Sequence, residues 1–133
     1  MCGIAGIWDF KKATSENILA NEVKNMANSM YTRGPDSNGC WVDSENGISL
    51  SHRRLAIQDL TSNGNQPYLS PSGRFVLVFN GEIYNHKLLR KEIEKSSCNK
   101  VHWKSNSDTE TLLSCVETWG LKSSLDKFVG MFA

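Results

Sequence analysis

A cysteine at position 2 stands ahead of the glycine-spaced apolar run Gly3-Ile4-Ala5-Gly6-Ile7-Trp8. Removal of Met1 before a small residue is routine processing, and it would leave Cys2 with both a thiol and a free α-amine. Such an amine has a pKa near 7.7–8.0, so about a quarter of it is neutral near pH 7.4. It can then act as general base for its own side chain, as N-terminal amines do for other nucleophiles. No histidine–aspartate pair is required, and none stands at a recognisable spacing. The alternative reading of Cys2 is a small hydrophobe in a first strand.

Two further stretches carry polar groups of useful type. In "FNGEIYN" (79–85), Asn80 and Gly81 put a side-chain amide and an unhindered backbone N–H together at the end of an apolar run. Two such donors can hold the oxyanion of a tetrahedral intermediate in acyl transfer. Asn-Gly is also the commonest two-residue hairpin turn, and by itself that reading stands beside the first. In "SHRRLAI" (51–57), strand alternation sets His52, Arg54 and Ala56 on one face and Arg53, Leu55 and Ile57 on the other. A guanidinium there can clamp a carboxylate bidentately, and Asp108 in "SNSDTE" can hold an ammonium group. Together they would suit a zwitterionic substrate. An exposed strand charge and an acidic first helical turn are the plainer readings of these two residues.

These residues need elements to position them. A chain of 133 residues suffices for one globular domain with a real core. Its apolar fraction of 39% and charged fraction of 22% are those of a globular protein rather than a disordered tail. A formal charge of +1 gives no electrostatic case for nucleic acid or for a membrane surface. Cys2, Cys40, Cys98 and Cys115 are widely spread, as are His52, His86 and His102, so no metal spacing is expected. With no basic region ahead of the first apolar run and no membrane-length apolar stretch, a reduced, soluble, cytoplasmic protein is expected.

Residues 2–8 read as a buried strand. Residues 15–31 read as a helix with Ile18, Leu19, Val23, Met26, Ala27 and Met30 on one stripe. Strands are expected at 40–43 and 47–51, joined by the turn "DSENG", with a further one over 53–58. "RFVLVFN" (74–80) has the strongest strand composition in the chain. A helix follows "GEIYN" to about residue 95, and another spans 108–119, announced by the capping-box pattern Ser107-x-x-Glu110 and closed by Gly120. Mixed strands and helices without regular alternation imply α+β with layered sheets. The final "FVGMFA" reads as the opening of a buried strand, so the chain is expected to be part of a longer protein and to self-associate through that edge.

"MCGIAGIWDF", "RGPDSNG", "SHRRLAI", "GNQP", "NGEIYNH" and "SDTE" together resemble the glutaminase domain of asparagine synthetase-type class II glutamine amidotransferases, which are N-terminal-nucleophile hydrolases. "RGPD" and "GEIYN" point to the asparagine synthetase branch. The resemblance implies an αββα sandwich of antiparallel sheets, incomplete in this chain, with residues 1–133 as the N-terminal part of the glutaminase domain. It implies Cys2 as nucleophile with its own amine as base, and Asn80 and Gly81 as the oxyanion hole. Arg54 would hold the glutamine carboxylate, with the backbone at Leu55 and Ile57 beside it. Glu82 and Asp108 would also contact the substrate, Asp108 at its α-amine. The activity implied is hydrolysis of L-glutamine to glutamate and ammonia through a cysteinyl thioester.

The ammonia would pass to a C-terminal synthetase domain that is absent here. No cofactor or metal is expected in residues 1–133, whereas ATP and magnesium would belong to the synthetase domain. Aspartate is the expected acceptor. Two readings stand beside it: a sugar or cell-envelope precursor as acceptor, and a non-catalytic binding module derived from the same fold.

Overall fold

The first strand, β1 (Gly3–Trp8), forms where the glycine-spaced apolar run predicts it, followed by α1 (Glu16–Ser29), β2 (Ser37–Asp43) and β3 (Ile48–Arg54). The structure, a computed structural model, describes residues 2–96 and 101–133. Met1, whose removal the sequence leads one to expect, and the thiol of Cys98 lie outside the described residues.

β3 is the centre of an antiparallel sheet of order β1-β3-β2, in which Gly3 faces Arg53 and Ser37 faces Arg54. Helix α1 packs on this sheet through Leu19, Val23 and Ala27, each one turn beyond the last. The buried stripe is therefore narrower than its sequence pattern implies, for Ile18 and Met26 are exposed. Beneath the helix lie Ser49 and Ser51, both fully buried. The Ser51 hydroxyl donates to the Val23 carbonyl at 3.0 Å, and these small side chains let the helix sit close to the sheet.

No separate strand covers 53–58. Arg53 and Arg54 end β3, and the backbone donors that follow are taken by side chains: Leu55 N–H goes to Cys2 Sγ, and Ala56 N–H to Asp36 Oδ2 at 2.8 Å. The expected strand over 74–80 is likewise reduced. Only Val76–Leu77 pairs, as β5 against β4 (Tyr68–Leu69). Further along, Phe79 N–H donates to Gln66 Oε1 at 2.6 Å and Phe79 O accepts from His52 Nε2 at 3.1 Å, so side chains replace the ladder.

Residues 1–56, 65–67 and 78–80 form one compact unit, and residues 57–64, 68–77 and 81–133 form a second. The second unit contains β4 and β5, then β6 (Gly81–Ile83), α2 (His86–Ser96), α3 (Asp108–Trp119), α4 (Leu121–Leu125) and β7 (Gly130–Phe132). Its core is Ile83, Leu89, Ile93, Leu112, Leu113, Cys115 and Val116. α3 has the bounds its capping residues predict: Ser107 Oγ accepts from Glu110 N–H at 3.4 Å, and Gly120 closes the helix at φ +80°. The reciprocal half of the box is used differently. The Glu110 carboxylate accepts from Lys104 N–H, Ser105 N–H and Ser105 Oγ–H, so it secures the loop before the helix. Arg90 ties α2 to the same region, donating to Thr111 Oγ1, Ser105 O and Ser107 O. β7 pairs antiparallel with β6, but its side chains are exposed rather than buried as "FVGMFA" leads one to expect. The fold is α+β with antiparallel sheets.

Candidate active site

Cys2 precedes β1, and its side chain is half-buried against the chain leaving β3. Leu55 N–H donates to Sγ at 3.4 Å, and Sγ stands 3.8 Å from Leu55 O. One residue thus meets the sulfur twice: its amide donates to Sγ, and its carbonyl accepts weakly from the thiol. Arg33 Nε donates to the Cys2 carbonyl at 3.2 Å, holding the residue from its backbone side. Cys115 differs in every respect. It is buried in the second unit, and burial pushes its thiol up to about 12, which makes it inert as a nucleophile.

Arg54 is buried at the end of β3, and its Nη1 donates to Asn65 Oδ1 at 3.0 Å. Arg53 points the other way, as alternation requires, and its guanidinium lies 4.8 Å from the centre of the Tyr31 ring. His52 is fully buried on the Arg54 face. Its Nε2–H donates to Phe79 O, which fixes the tautomer and leaves Nδ1 buried with no partner. Burial pushes this imidazole down to about 4, against the pull of its bond to Phe79.

Asn80 follows Phe79 in the first unit, and Gly81 opens β6 in the second. The hairpin reading of Asn80-Gly81 does not hold, because β5 pairs with β4 and β6 with β7. A Cβ on Gly81 would run into the Met131 carbonyl and the Phe132 Cα of β7, so glycine is required for that pairing. Asp108 is buried at the start of α3, where Oδ2 accepts from Ile83 N–H at 2.8 Å. This bond ties the helix to the strand that carries Gly81 and Glu82. Ile57, also in the second unit, is 64% exposed.

Within the first unit the structure joins Cys2 to Leu55, and Arg54 to Asn65. Within the second it joins Asp108 to β6. Several supporting residues belong to motifs that sequence reasoning left without a role. Arg33 and Asp36 of "RGPD" hold Cys2 and Ala56, and Asn65 and Gln66 of "GNQP" hold Arg54 and Phe79. Their clustering in short polar motifs was the available signal.

A separate cleft of about 640 Å³ in the second unit is lined by Gln58, His86, Lys87, Arg90 and Asn106, none of them a candidate site residue. Among the described residues, no group of three His, Cys, Asp or Glu side chains is placed to hold a metal ion, and no helix is long and apolar enough to cross a membrane.

The half-buried Cys2 thiol thus lies against the Leu55 amide on an α+β fold with antiparallel sheets, and comparison with known proteins gives the family. The chain belongs to the glutamine amidotransferase domain family, which it matches over residues 1–133. It is 38% identical over its whole length to glutamine-hydrolyzing asparagine synthetase 2 of Bacillus subtilis (strain 168), covering 17% of that protein. It is 37% identical to glutamine-hydrolyzing asparagine synthetase B of Escherichia coli (strain K12), covering 22% of it. At 29% identity it also matches amidase chry2 of Gibberella zeae, covering 20% of that protein. The chain thus spans about a fifth of the length of these relatives.

Proposed function

We propose that this domain hydrolyses L-glutamine to glutamate and ammonia, with Cys2 as nucleophile and its α-amine, freed by loss of Met1, as base. The observation that carries the reading is the Leu55 N–H directed at Cys2 Sγ, on a residue that ends up with both thiol and amine once Met1 is gone. The thiolate adds to the γ-carbonyl carbon and a C–S bond forms. Asn80 Nδ2–H and Gly81 N–H receive the negative oxygen. Collapse breaks the C–N bond, the α-ammonium supplies the proton that lets ammonia leave, and water then cleaves the γ-glutamyl thioester with the same amine as base. Arg54 holds the substrate carboxylate, with the Leu55 and Ile57 backbone beside it, while Asp108 receives the α-ammonium group and Glu82 also contacts the substrate.

The fold proposed is the αββα sandwich of N-terminal-nucleophile hydrolases, of which residues 1–133 are the N-terminal part. In the parent protein the ammonia aminates an acceptor activated by ATP and magnesium on a synthetase domain. Aspartate is the acceptor proposed, because two of the similar proteins are named asparagine synthetases. The test is glutamate release from glutamine by the 133-residue chain and by a longer parent, each compared with Cys2→Ala. Release that depends on Cys2 supports the reading, and release by neither protein overturns it.

A further inference from the structure

Residues 78–80 carry one of the proposed oxyanion donors without the support of a sheet. β5 ends at Leu77 and β6 begins at Gly81, so no ladder aligns the backbone that leads into Asn80. Two side chains do so instead. Gln66 Oε1 accepts from Phe79 N–H at 2.6 Å, and His52 Nε2–H donates to Phe79 O at 3.1 Å. The second bond has a direct geometric consequence. A peptide unit is planar, so the carbonyl of Phe79 and the nitrogen of Asn80 lie in one plane. Fixing that carbonyl fixes the direction in which Asn80 leaves it. The first bond fixes the plane before Phe79, whose side chain is itself buried.

The clamp stands on firm ground at both ends. His52 lies on the central strand, fully buried, and its imidazole stays neutral at physiological pH because burial pushes it down to about 4. Gln66 is buried as well. Neither is needed to bind glutamine or to move a proton in the proposed reaction, and His52 spends its one N–H on a backbone carbonyl. That is a costly use of a buried histidine unless the carbonyl must be held.

We infer that His52 and Gln66 are positioning residues that aim the Asn80 amide at the developing oxyanion by clamping both peptide planes of Phe79. This inference rests on the proposed glutaminase function and deepens it. An oxyanion donor acts only when pre-aimed, so a small displacement lowers the rate of the chemical step while leaving ground-state binding nearly intact.

The test is steady-state glutamine hydrolysis by the longer parent, unaltered and as His52→Phe, Gln66→Met, His52→Gln, Asn80→Ala and the double variant His52→Phe/Asn80→Ala, with thermal melts to show that each is folded. His52→Phe and Gln66→Met should each lower kcat about 10-fold, with the KM for glutamine changed less than about 2-fold. His52→Gln, whose terminal amide reaches the place of Nε2–H, should recover most of the loss. In the Asn80→Ala background, His52→Phe should cost nothing further, because the donor it aims is already gone. Should His52→Phe fail to fold, the same cycle is run with Gln66→Met. A full-rate variant, a loss carried by KM, or losses that multiply with that of Asn80→Ala would overturn the positioning role while a Cys2-dependent glutaminase stands. If neither the 133-residue chain nor the longer parent releases glutamate, or the release equals that of Cys2→Ala, the proposed function itself falls, and this inference with it.

Discussion

The amide of Leu55 donates to the sulfur of Cys2 at 3.4 Å, across 53 residues of chain. That bond joins the end of the central strand to the start of the first, so the strand pairing of β1 with β3 is also what brings the Leu55 amide to the Cys2 thiol. The same amide would otherwise have continued the strand.

The proposed base is tested by making the amine an amide. A non-removable extension ahead of Cys2 keeps the thiol and the Leu55 contact but removes the basic lone pair. Glutamine hydrolysis by the active protein should fall nearly as far as in Cys2→Ala, and release of the extension at a built-in protease site should restore it. Hydrolysis at the unextended rate would move the search for a base to His52, His86 and His102, of which His52 already spends its Nε2–H on Phe79.

Asn80→Ala should lower kcat by about 10²–10³ with little change in glutamine KM, as loss of one oxyanion donor does. Rapid-quench measurement of thioester formation is the direct readout. An unchanged rate of acylation would return Asn80 to a purely structural role.

The two neighbouring arginines should separate cleanly. Arg54→Lys keeps the charge but loses the planar fork, so KM for glutamine should rise more than kcat falls. Asn65→Ala, which frees Nη1 from its bond to Asn65 Oδ1, should raise KM less. Arg53→Lys loses the stack on Tyr31 and should lower the melting temperature with little change in KM. Equal kinetic effects at positions 53 and 54 would count against the strand register.

His52 sets part of the acid limb of stability. Its folded value is about 4 against the usual 6.5, so the unfolded chain binds this proton first as pH falls. Stability is therefore undiminished above pH 6.5 and is lost between 6.5 and about 4, where the loss reaches roughly 3 kcal/mol. Denaturant midpoints measured across this range should show a shallower slope for His52→Gln. Identical slopes would mean that other groups carry the acid limb.

Glu110→Ala should destabilise the protein by about 2–4 kcal/mol, because it strips partners from two backbone N–H groups and from the Ser105 hydroxyl. It should also raise glutamine KM, since the loop it secures leads into Asp108. Urea unfolding and kinetics on one preparation test both parts, and a variant as stable as the unaltered chain would refute the cradle.

The sequence by itself determined the elements whose signals are local. The span of α3 is readable because Ser107 and Gly120 act within one turn of the ends they cap, and α2 because Leu88, Leu89 and Ile93 suggest a helix, of which Leu89 and Ile93 are buried and Leu88 is exposed. The family was legible too, in the order of six short motifs that run the length of the chain. Tertiary structure decided what each backbone group does once it leaves its own neighbourhood. "RFVLVFN" has strand composition, yet its later part is held by Gln66 and His52, 13 and 27 residues from Phe79. Ser49 and Ser51 are polar yet fully buried, and Ser51 is satisfied by the Val23 carbonyl of α1, 28 residues away. Caps and periodicity are short-range energies written into adjacent residues. A distant hydrogen-bond partner depends on which segments the fold brings together, and no window of sequence contains that.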